Sequence, residues 1–340
     1  MEVKSLSLEK SHKWDEYVKQ HDAGTFFHLS AWKQVLEQAF NHDAYFLYAE
    51  SNNEIRGVLP LGHIQSRLFG NSLISLPFCV YGGVLASDTA AQIALEDAAL
   101  TLGKRLKVGS IEYRNLTNKH PDWPTKDLYV SFQKEIDPDP EVNLKAIPRK
   151  QRAVVRKGIK SGMCSQWDED VENLYRVYSE SVRNLGTPVF GKKYFKILKQ
   201  NFQDKCSILS ITHNGEVLSS VMNFYFRDQV LPYYGGGISA ARNMRANDFM
   251  YWELMRRSAE QGIKIFDYGR SKKETGSYRF KKHWGFEATP LSYQYVLVND
   301  KDMPNVSPTN PKYELMIRVW RKLPVGVSRF IGPWIAKDLG

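Results

Sequence analysis

Four basic side chains, Arg149, Arg152, Arg156 and Lys160, recur at i, i+3, i+7 and i+11, which places them on one face of a helix. They belong to a run, residues 145–160, with seven Lys/Arg and no acid. Such a stripe suits contacts to successive phosphates, and its length tilts the reading toward a polyanion over a single diphosphate. A solvated basic face is the plainer alternative. Gly235, Gly236 and Gly237 permit close backbone approach or a bulge, with N–H groups for a carbonyl oxygen, or else a plain turn. Asp267 closes a short β-like run, where its carboxylate serves chemistry or caps the next turn. Other chemistries find no pattern. There is no Gly-x-Ser-x-Gly, no cysteine paired by motif with a histidine, and no metal spacing among the eight histidines. Residues 186–193 imitate a phosphate-binding Walker A loop, but Lys193 stands where Ser or Thr must hold magnesium and Pro188 stiffens the loop.

The elements that must position these residues belong to a chain of 340 residues, long enough for two domains at roughly 100–200 residues each. It is 42% hydrophobic, 25% charged and 13% aromatic, which excludes collagen, low-complexity disorder and disulfide scaffolds. No apolar run approaches the ~20 residues that span a bilayer, and the polar N-terminus lacks a signal-peptide hydrophobic region. Cys79, Cys164 and Cys206 are few, odd in number and far apart, so neither a disulfide framework nor a zinc site is expected. These features predict a cytoplasmic protein. The net charge is +10, yet residues 145–160, 270–282 (net +5) and 312–340 (net +4) together exceed it, so the remaining body is mildly acidic. Positive regions on an acidic body point to an anionic ligand such as phosphate, nucleic acid or lipid headgroups.

An internal echo organises the chain. Residues 45–49 and 57–61 flank a polar turn at Asn52-Asn53, and residues 206–211 and 217–226 flank Asn214-Gly215, a hairpin signal. Each hairpin leads to a tyrosine–glycine string, Tyr81-Gly82-Gly83 or Tyr234-Gly235-Gly236. Each string precedes a helix-like stretch (90–102; 247–261) and then a glycine and a short strand (109–114; 262–268). A strand–helix–strand crossover after a meander implies mixed sheets flanked by helices. The boundary is expected near Asp137-Pro138-Asp139-Pro140, giving domains at 1–140 and 141–300. Residues 301–340 form a proline-rich linker, with Pro304, Pro308 and Pro311 in and around it, and an amphipathic tail bearing Trp320, Phe330 and Trp334 among basic residues. The tail suits either packing or contact with an anionic membrane.

The stretch from Phe266-Asp267-Tyr268-Gly269-Arg270 to Phe280-Lys281-Lys282-His283-Trp284-Gly285-Phe286 resembles the signature of the FemAB/FemX family. Tyr234-Gly235-Gly236 and Phe27-His28-Leu29-Ser30-Ala31-Trp32 agree with it. The wording of Gly269-Arg270-Ser271-Lys272 looks most like the FemAB-like subgroup associated with PEP-CTERM/exosortase systems. The resemblance spans nearly the whole chain. It implies an α+β fold of two tandem GNAT-like (acyl-CoA N-acyltransferase) domains, with mixed sheets flanked by helices and the C-terminal helical tail docked on the first domain. It implies transfer of an aminoacyl group from aminoacyl-tRNA to an amino group of a cell-envelope or exopolysaccharide precursor.

That reaction needs an aligned neutral amine, a stabilised oxyanion and a proton for the leaving group. The resemblance places Lys281 near the transferred group or the tRNA end; Asp267, at the end of the echoed strand, is the carboxylate candidate beside it. Tyr234, Tyr194, Trp32, Gly235, Gly236 and Arg270 are implied for substrate. Arg149, Arg152, Arg156 and Lys160 would hold tRNA or another anion. The family's first-domain aspartate is replaced by Arg114, with Glu112 two residues earlier, where an ion pair is expected. Gln34 and Leu36 stand where the family carries a lysine. Residues 242–247 sit where acetyltransferases carry a glycine-rich coenzyme A loop, and lack its glycines. No tightly bound cofactor and no metal are expected; aminoacyl-tRNA, or acyl-CoA, is the co-substrate. Expected partners are aminoacyl-tRNA and an anionic envelope precursor, with peripheral contact of the tail at the inner face of the membrane. The alternatives are an acyl-CoA-dependent N-acyltransferase acting on an amino sugar, and a non-catalytic RNA- or membrane-binding protein.

Overall fold

The computed structural model describes residues 1–304 and 311–340. Pro308, in the proline-rich linker, lies outside the described residues. The chain forms two compact units, each described by itself below.

The first unit comprises Met1–Tyr129, the segment beginning at Pro290, and Trp334–Gly340. Strand β1 (Glu2–Ser5) is followed by helices α1 (Ser11–Gln20) and α2 (Ala31–Phe40), then by β2 (Ala44–Ser51), β3 (Glu54–Ser66), β4 (Gly70–Ser75), α3 (Thr89–Arg105) and β5 (Ser110–Asn115). The β2–β3 hairpin turns at Asn52 and Asn53, both with positive φ (52° and 62°), the backbone that a two-residue hairpin turn requires and asparagine tolerates. Asp88 starts α3 by accepting a hydrogen bond from the Ala91 N–H at 2.8 Å. The sheet runs β1-β2-β3-β4-β5, continues with the strand Ser292–Leu297 and ends at Thr125–Lys126; β4 and β5 are parallel. Leu47, Leu59, Leu61 and Leu73 of the sheet meet Ala91, Leu95, Ala99 and Leu102 of α3 in the core, so a period of two packs against a period of 3.6.

The second unit comprises Val130–Thr289 and Pro311–Pro333. Its elements are β6 (Gln133–Glu135), α4 (Pro140–Ala146), α5 (Arg149–Ile159), β7 (Cys164–Trp167), α6 (Glu172–Leu185), α7 (Lys192–Phe202), β8 (Cys206–His213), β9 (Glu216–Phe226), β10 (Gln229–Gly237), α8 (Ala246–Glu260), β11 (Ile265–Asp267) and α9 (Gly276–His283). Pro140, expected to break regular structure, instead opens α4 with Asp139 as its cap, since proline suits the first helical position. The sheet order is β7-β8-β9-β10-β11-β6. The β8–β9 turn is Asn214-Gly215, with φ of 49° and 81°. This is the architecture expected from the echo: a mixed sheet with helices in each unit.

The tail differs from the expectation. Its helices are α10 (Pro311–Trp320) and α11 (Val325–Ala336), and Pro311–Pro333 groups with the second unit; only Trp334–Gly340 groups with the first. Glycines explain the choice. A Cβ on Gly332 would lie 2.7 Å from the Val189 carbonyl oxygen, and one on Gly186 would lie 2.6 Å from Ile317 Cγ2. The absence of those side chains lets the tail seat against the end of α6 and the loop beyond it.

Candidate active site

In the second unit β10 and β11 run parallel, but only Gln229↔Ile265 and Val230↔Phe266 pair. Strand β11 stops at Asp267, while β10 runs on to Gly237 with no strand partner on that edge among the described residues. At ~3.3 Å per residue, the open edge is about 20 Å long. Residues along a strand turn their N–H and C=O groups to alternate edges, so this stretch presents donors and acceptors into the cleft. A bulge between Met222 and Asn223 opposite Tyr233 re-aims the strand just where it opens. Gly235 and Gly236 also serve packing: a Cβ on Gly236 would lie 2.3 Å from Ser181 Oγ of α6.

Two of the expected tyrosines meet on this strand. The Tyr194 hydroxyl, from the first turn of α7, lies 2.8 Å from the Tyr234 hydroxyl. Phe190, Tyr178 and Phe195 pack edge-on or tilted around them, with Phe195 5.5 Å and Phe190 5.9 Å from the Tyr234 ring. Both tyrosines are buried, and burial pushes the neighbouring Tyr178 phenol well up, so that ring is neutral at physiological pH. A hydroxyl pair of this kind can pass a proton from one oxygen to the other.

On the other side of the opening, Asp267, Arg270 and Lys281 come together. Lys281 lies on α9 and is only 8% exposed. Its Nζ donates to the carbonyls of Tyr268 (2.7 Å), Gly269 (3.0 Å) and Arg270 (3.1 Å) and sits 5.4 Å from the centre of the Phe132 ring. An ammonium has three N–H donors, and all three are used. Burial pushes its pKa down from 10.5 to about 7; Asp267 pulls it up and Arg270 adds to the fall. The side chain therefore pins the turn that follows β11, where Gly269 adopts φ 64°. Asp267 is buried, its Oδ1 accepting from the Gly269 N–H at 2.7 Å and its Oδ2 from Gln133 Nε2 at 2.9 Å. Gln133 and Phe132 were not singled out by sequence, since nothing local marks residues that meet a partner more than 130 positions away.

The basic stripe forms as expected on α5, with Arg149, Arg156 and Lys160 exposed and Arg152 half-buried; Lys160 caps the helix end. Among the described residues these four carry no ion pair. The helix starts beside the lysine motif: a Cβ on Gly285, just past α9, would lie 3.0 Å from Pro148 Cδ. Gln151 ties α5 to the carboxylate of Asp248 in the first turn of α8, a group that burial pushes up. Helix α8 starts at Arg245, in the left-handed region (φ 63°), with no side-chain cap. Upstream of it, the Ser239 N–H and hydroxyl both donate to Glu180 Oε1 (2.8 and 3.1 Å), which puts a carboxylate on the loop after β10.

The first-unit candidates are internal. Trp32 has no exposed surface and donates its indole N–H to the Phe26 carbonyl at 3.2 Å, a core position. Arg114 is buried and pairs with Glu112 at 2.7 Å, as expected, while also donating to the carbonyls of Leu76 (3.0 Å) and Cys79 (2.7 Å).

The fold is that of an acyltransferase built on GNAT-like domains. Residues 143–282 match the acetyltransferase (GNAT) domain family. Among solved structures, FemX superposes with a TM-score of 0.66 at 15% identity, covering 93% of this chain and all of FemX. A tandem GNAT protein from the clavulanic acid biosynthesis pathway gives 0.55 at 11% identity, covering 88% of this chain and 99% of that one. L-PGS from Bacillus licheniformis gives 0.55 at 12% identity, covering 91% and 95%. Curated protein sequences yield no match. The fold is thus FemX-like, with paired GNAT-like domains.

Proposed function

We propose that the second unit transfers an aminoacyl group from aminoacyl-tRNA to an amino group of a cell-envelope or exopolysaccharide precursor. The reading is supported above all by the open edge of β10, flanked by the Tyr194–Tyr234 pair and by the turn that Lys281 pins. The donor ester lies along that edge, whose N–H groups take the carbonyl oxygen as it becomes an oxyanion. The acceptor nitrogen attacks the ester carbon, the C–N bond forms and the ester C–O bond breaks. The proton lost by the amine goes to the ribose hydroxyl that leaves, relayed by the tyrosine pair. Lys281 and Asp267 hold the turn that faces the ester, and Arg149, Arg152, Arg156 and Lys160 hold phosphates of the tRNA.

A second reading, acyl-CoA as donor, has one observation in its favour. Arg242 and Arg245 stand at the uncapped start of α8, where N–H groups and the helix dipole favour a diphosphate. Against it, Glu180 occupies the preceding loop N–H and the loop has none of the usual glycines. Fluorescence anisotropy of labelled aminoacyl-tRNA at two salt concentrations, with acetyl-CoA as competitor, separates the two. The proposal expects binding that prefers charged tRNA. Arg149→Glu with Arg152→Glu should lower the slope of log K against log salt by about one per phosphate lost. Binding indifferent to the aminoacyl group, or displaced fully by acetyl-CoA, overturns it.

A further inference from the structure

The tail helices pack on one side and expose large apolar side chains on the other. Toward the protein, Trp320, Ser328 and Gly332 are buried. Outward, Val327, Phe330 and Trp334 stand at i, i+3 and i+7 on one face of α11, with Phe330 77% and Trp334 72% exposed. On α10, Leu315 (67% exposed) and Val319 follow at i and i+4, with Met316 beside them. Isolated exposed apolar residues need no explanation, but two consecutive helices that each carry three of them on the outward side do.

The charge around the patch is positive. Lys322 is exposed between the two helices, and Arg318 projects from α10. Arg321 and Arg329 are spent inward, donating to the carbonyls of Leu185 and Arg176. Pro333 of α11 lies 3.5 Å from where a Cβ on Gly191 would be, directly before α7, and α7 adds exposed Lys193 and Lys196. Glu314, paired with Arg318 at 2.7 Å, is the acid on α10 among its described side chains. Aromatic and aliphatic residues on a helix face, bordered by lysine and arginine, match the headgroup boundary of an anionic bilayer: rings enter the interface while ammonium groups stay with lipid phosphates. No helix among the described residues is long and apolar enough to cross a membrane, so the contact is peripheral.

We propose that the outer face of α10 and α11 seats the protein on an anionic phospholipid surface through Phe330, Trp334, Leu315 and Val319. This proposal does not rest on the acyl-transfer reading. Its consequence for that reading is geometric, because Gly191 is followed three residues later by Tyr194, so an amine carried on a membrane-bound precursor would be presented next to the tyrosine pair.

The test is cosedimentation of the full-length chain with phosphatidylcholine vesicles and with mixed phosphatidylcholine–phosphatidylglycerol vesicles. The proposal expects binding to the mixed vesicles only, falling as salt is raised. Phe330→Ser with Trp334→Ser should weaken binding at least about tenfold, since each removes most of an apolar side chain that binding would bury. Lys322→Glu should weaken it less and flatten the salt dependence. All three positions are exposed, and an unchanged thermal melt checks that the variants fold. Binding that persists in the double variant overturns the proposal. So does absence of binding combined with a concentration-dependent dimer that the double variant abolishes, which assigns the patch to a second copy of the chain.

Discussion

The two units carry the same strand–helix–strand crossover and have finished it differently. In the first, β4 and β5 are paired over four residues, from Ser72↔Ser110 to Ser75↔Tyr113, up to the last residue of β4. In the second, β10 and β11 separate after two pairs. Both units use a buried cation to hold carbonyls beyond the strand ends. Arg114 holds Leu76 and Cys79, and Lys281 holds Tyr268, Gly269 and Arg270. Their surroundings differ. Arg114 is neutralised by Glu112, whose other oxygen accepts from Tyr295 at 2.7 Å. Burial pushes the Glu112 pKa up, but the Arg114 guanidinium, together with the Tyr295 hydroxyl and Lys126, holds it below the usual carboxylate value. Lys281 has carbonyls alone as hydrogen-bond partners among the described residues, and it titrates near neutrality. A filled, charged cluster suits a scaffold; an open edge beside a cation of adjustable charge is the arrangement proposed above as the site.

The largest expected effect separates these roles. Arg114→Leu leaves the Glu112 carboxylate buried without its partner, and should cost about 3–5 kcal/mol of stability in a urea titration. Turnover per folded molecule should be unchanged. If the variant instead loses turnover while keeping its stability, the first unit is not the scaffold this comparison makes it.

Lys281→Met comes next. It removes the donors of three carbonyls at a cost of about 2 kcal/mol, and by loosening the turn beside the donor it should lower kcat about 100-fold. Its pH signature is the sharper readout. The folded pKa, about 7, lies below the ordinary 10.5, so between those values the unfolded chain binds more protons than the folded one. The stability tied to this residue therefore rises with pH from about 7 toward 10.5, and is lost as pH falls through 7. The difference in unfolding free energy between wild type and variant should grow over that range. A difference flat in pH would remove the titrating lysine from the account.

Smaller still is the tyrosine pair. Tyr194→Phe and Tyr234→Phe should each cost about 1 kcal/mol of stability but about 100-fold in kcat, with the double variant no worse than either single one if the two relay one proton. Tyr295→Phe in the first unit is the control: a similar loss of stability with turnover intact.

Much of this contrast was legible before the fold was seen, and the reason is locality. The Asn52-Asn53 and Asn214-Gly215 turns encode their own backbone, and the helices after each tyrosine–glycine string follow a 3.6-residue period within one window. The Glu112–Arg114 pair is also local, two residues apart on one strand. What the sequence withheld depends on contacts between distant segments. Gln133 reaches Asp267 and Phe132 lies under Lys281 only because β6 joins the far edge of the sheet beside β11. The burial of Lys281 opposes the usual behaviour of lysine, so composition pointed outward. Trp32 has an aromatic side chain equally suited to a core and to a ligand, and the fold puts it in the core. The tail's side of attachment turned on Gly332 and Gly186, which mark close approach without saying to what.

The smallest effect concerns how each unit begins its crossover helix. Asp88 caps α3 and is held below its usual pKa, first by the Ala91 N–H and then by Arg56, so the positive end of that helix is already answered. Helix α8 begins instead at Arg245, a basic residue at a positive helix end, in a backbone region that costs a non-glycine residue about 1 kcal/mol. Glycine adopts that conformation freely, so Arg245→Gly should stabilise the second unit by about 0.5–1 kcal/mol in thermal or urea unfolding. For an acyl-CoA donor, the second reading above, it should also weaken donor binding several-fold, because the charge that the helix end tolerates is the charge a diphosphate would use. A stabilised protein with undiminished donor affinity would mean that the open helix start is an unfinished cap. A gain in stability joined to a loss of affinity would mark Arg245 as a strained residue kept for its ligand, which is the difference between the two units reduced to one position.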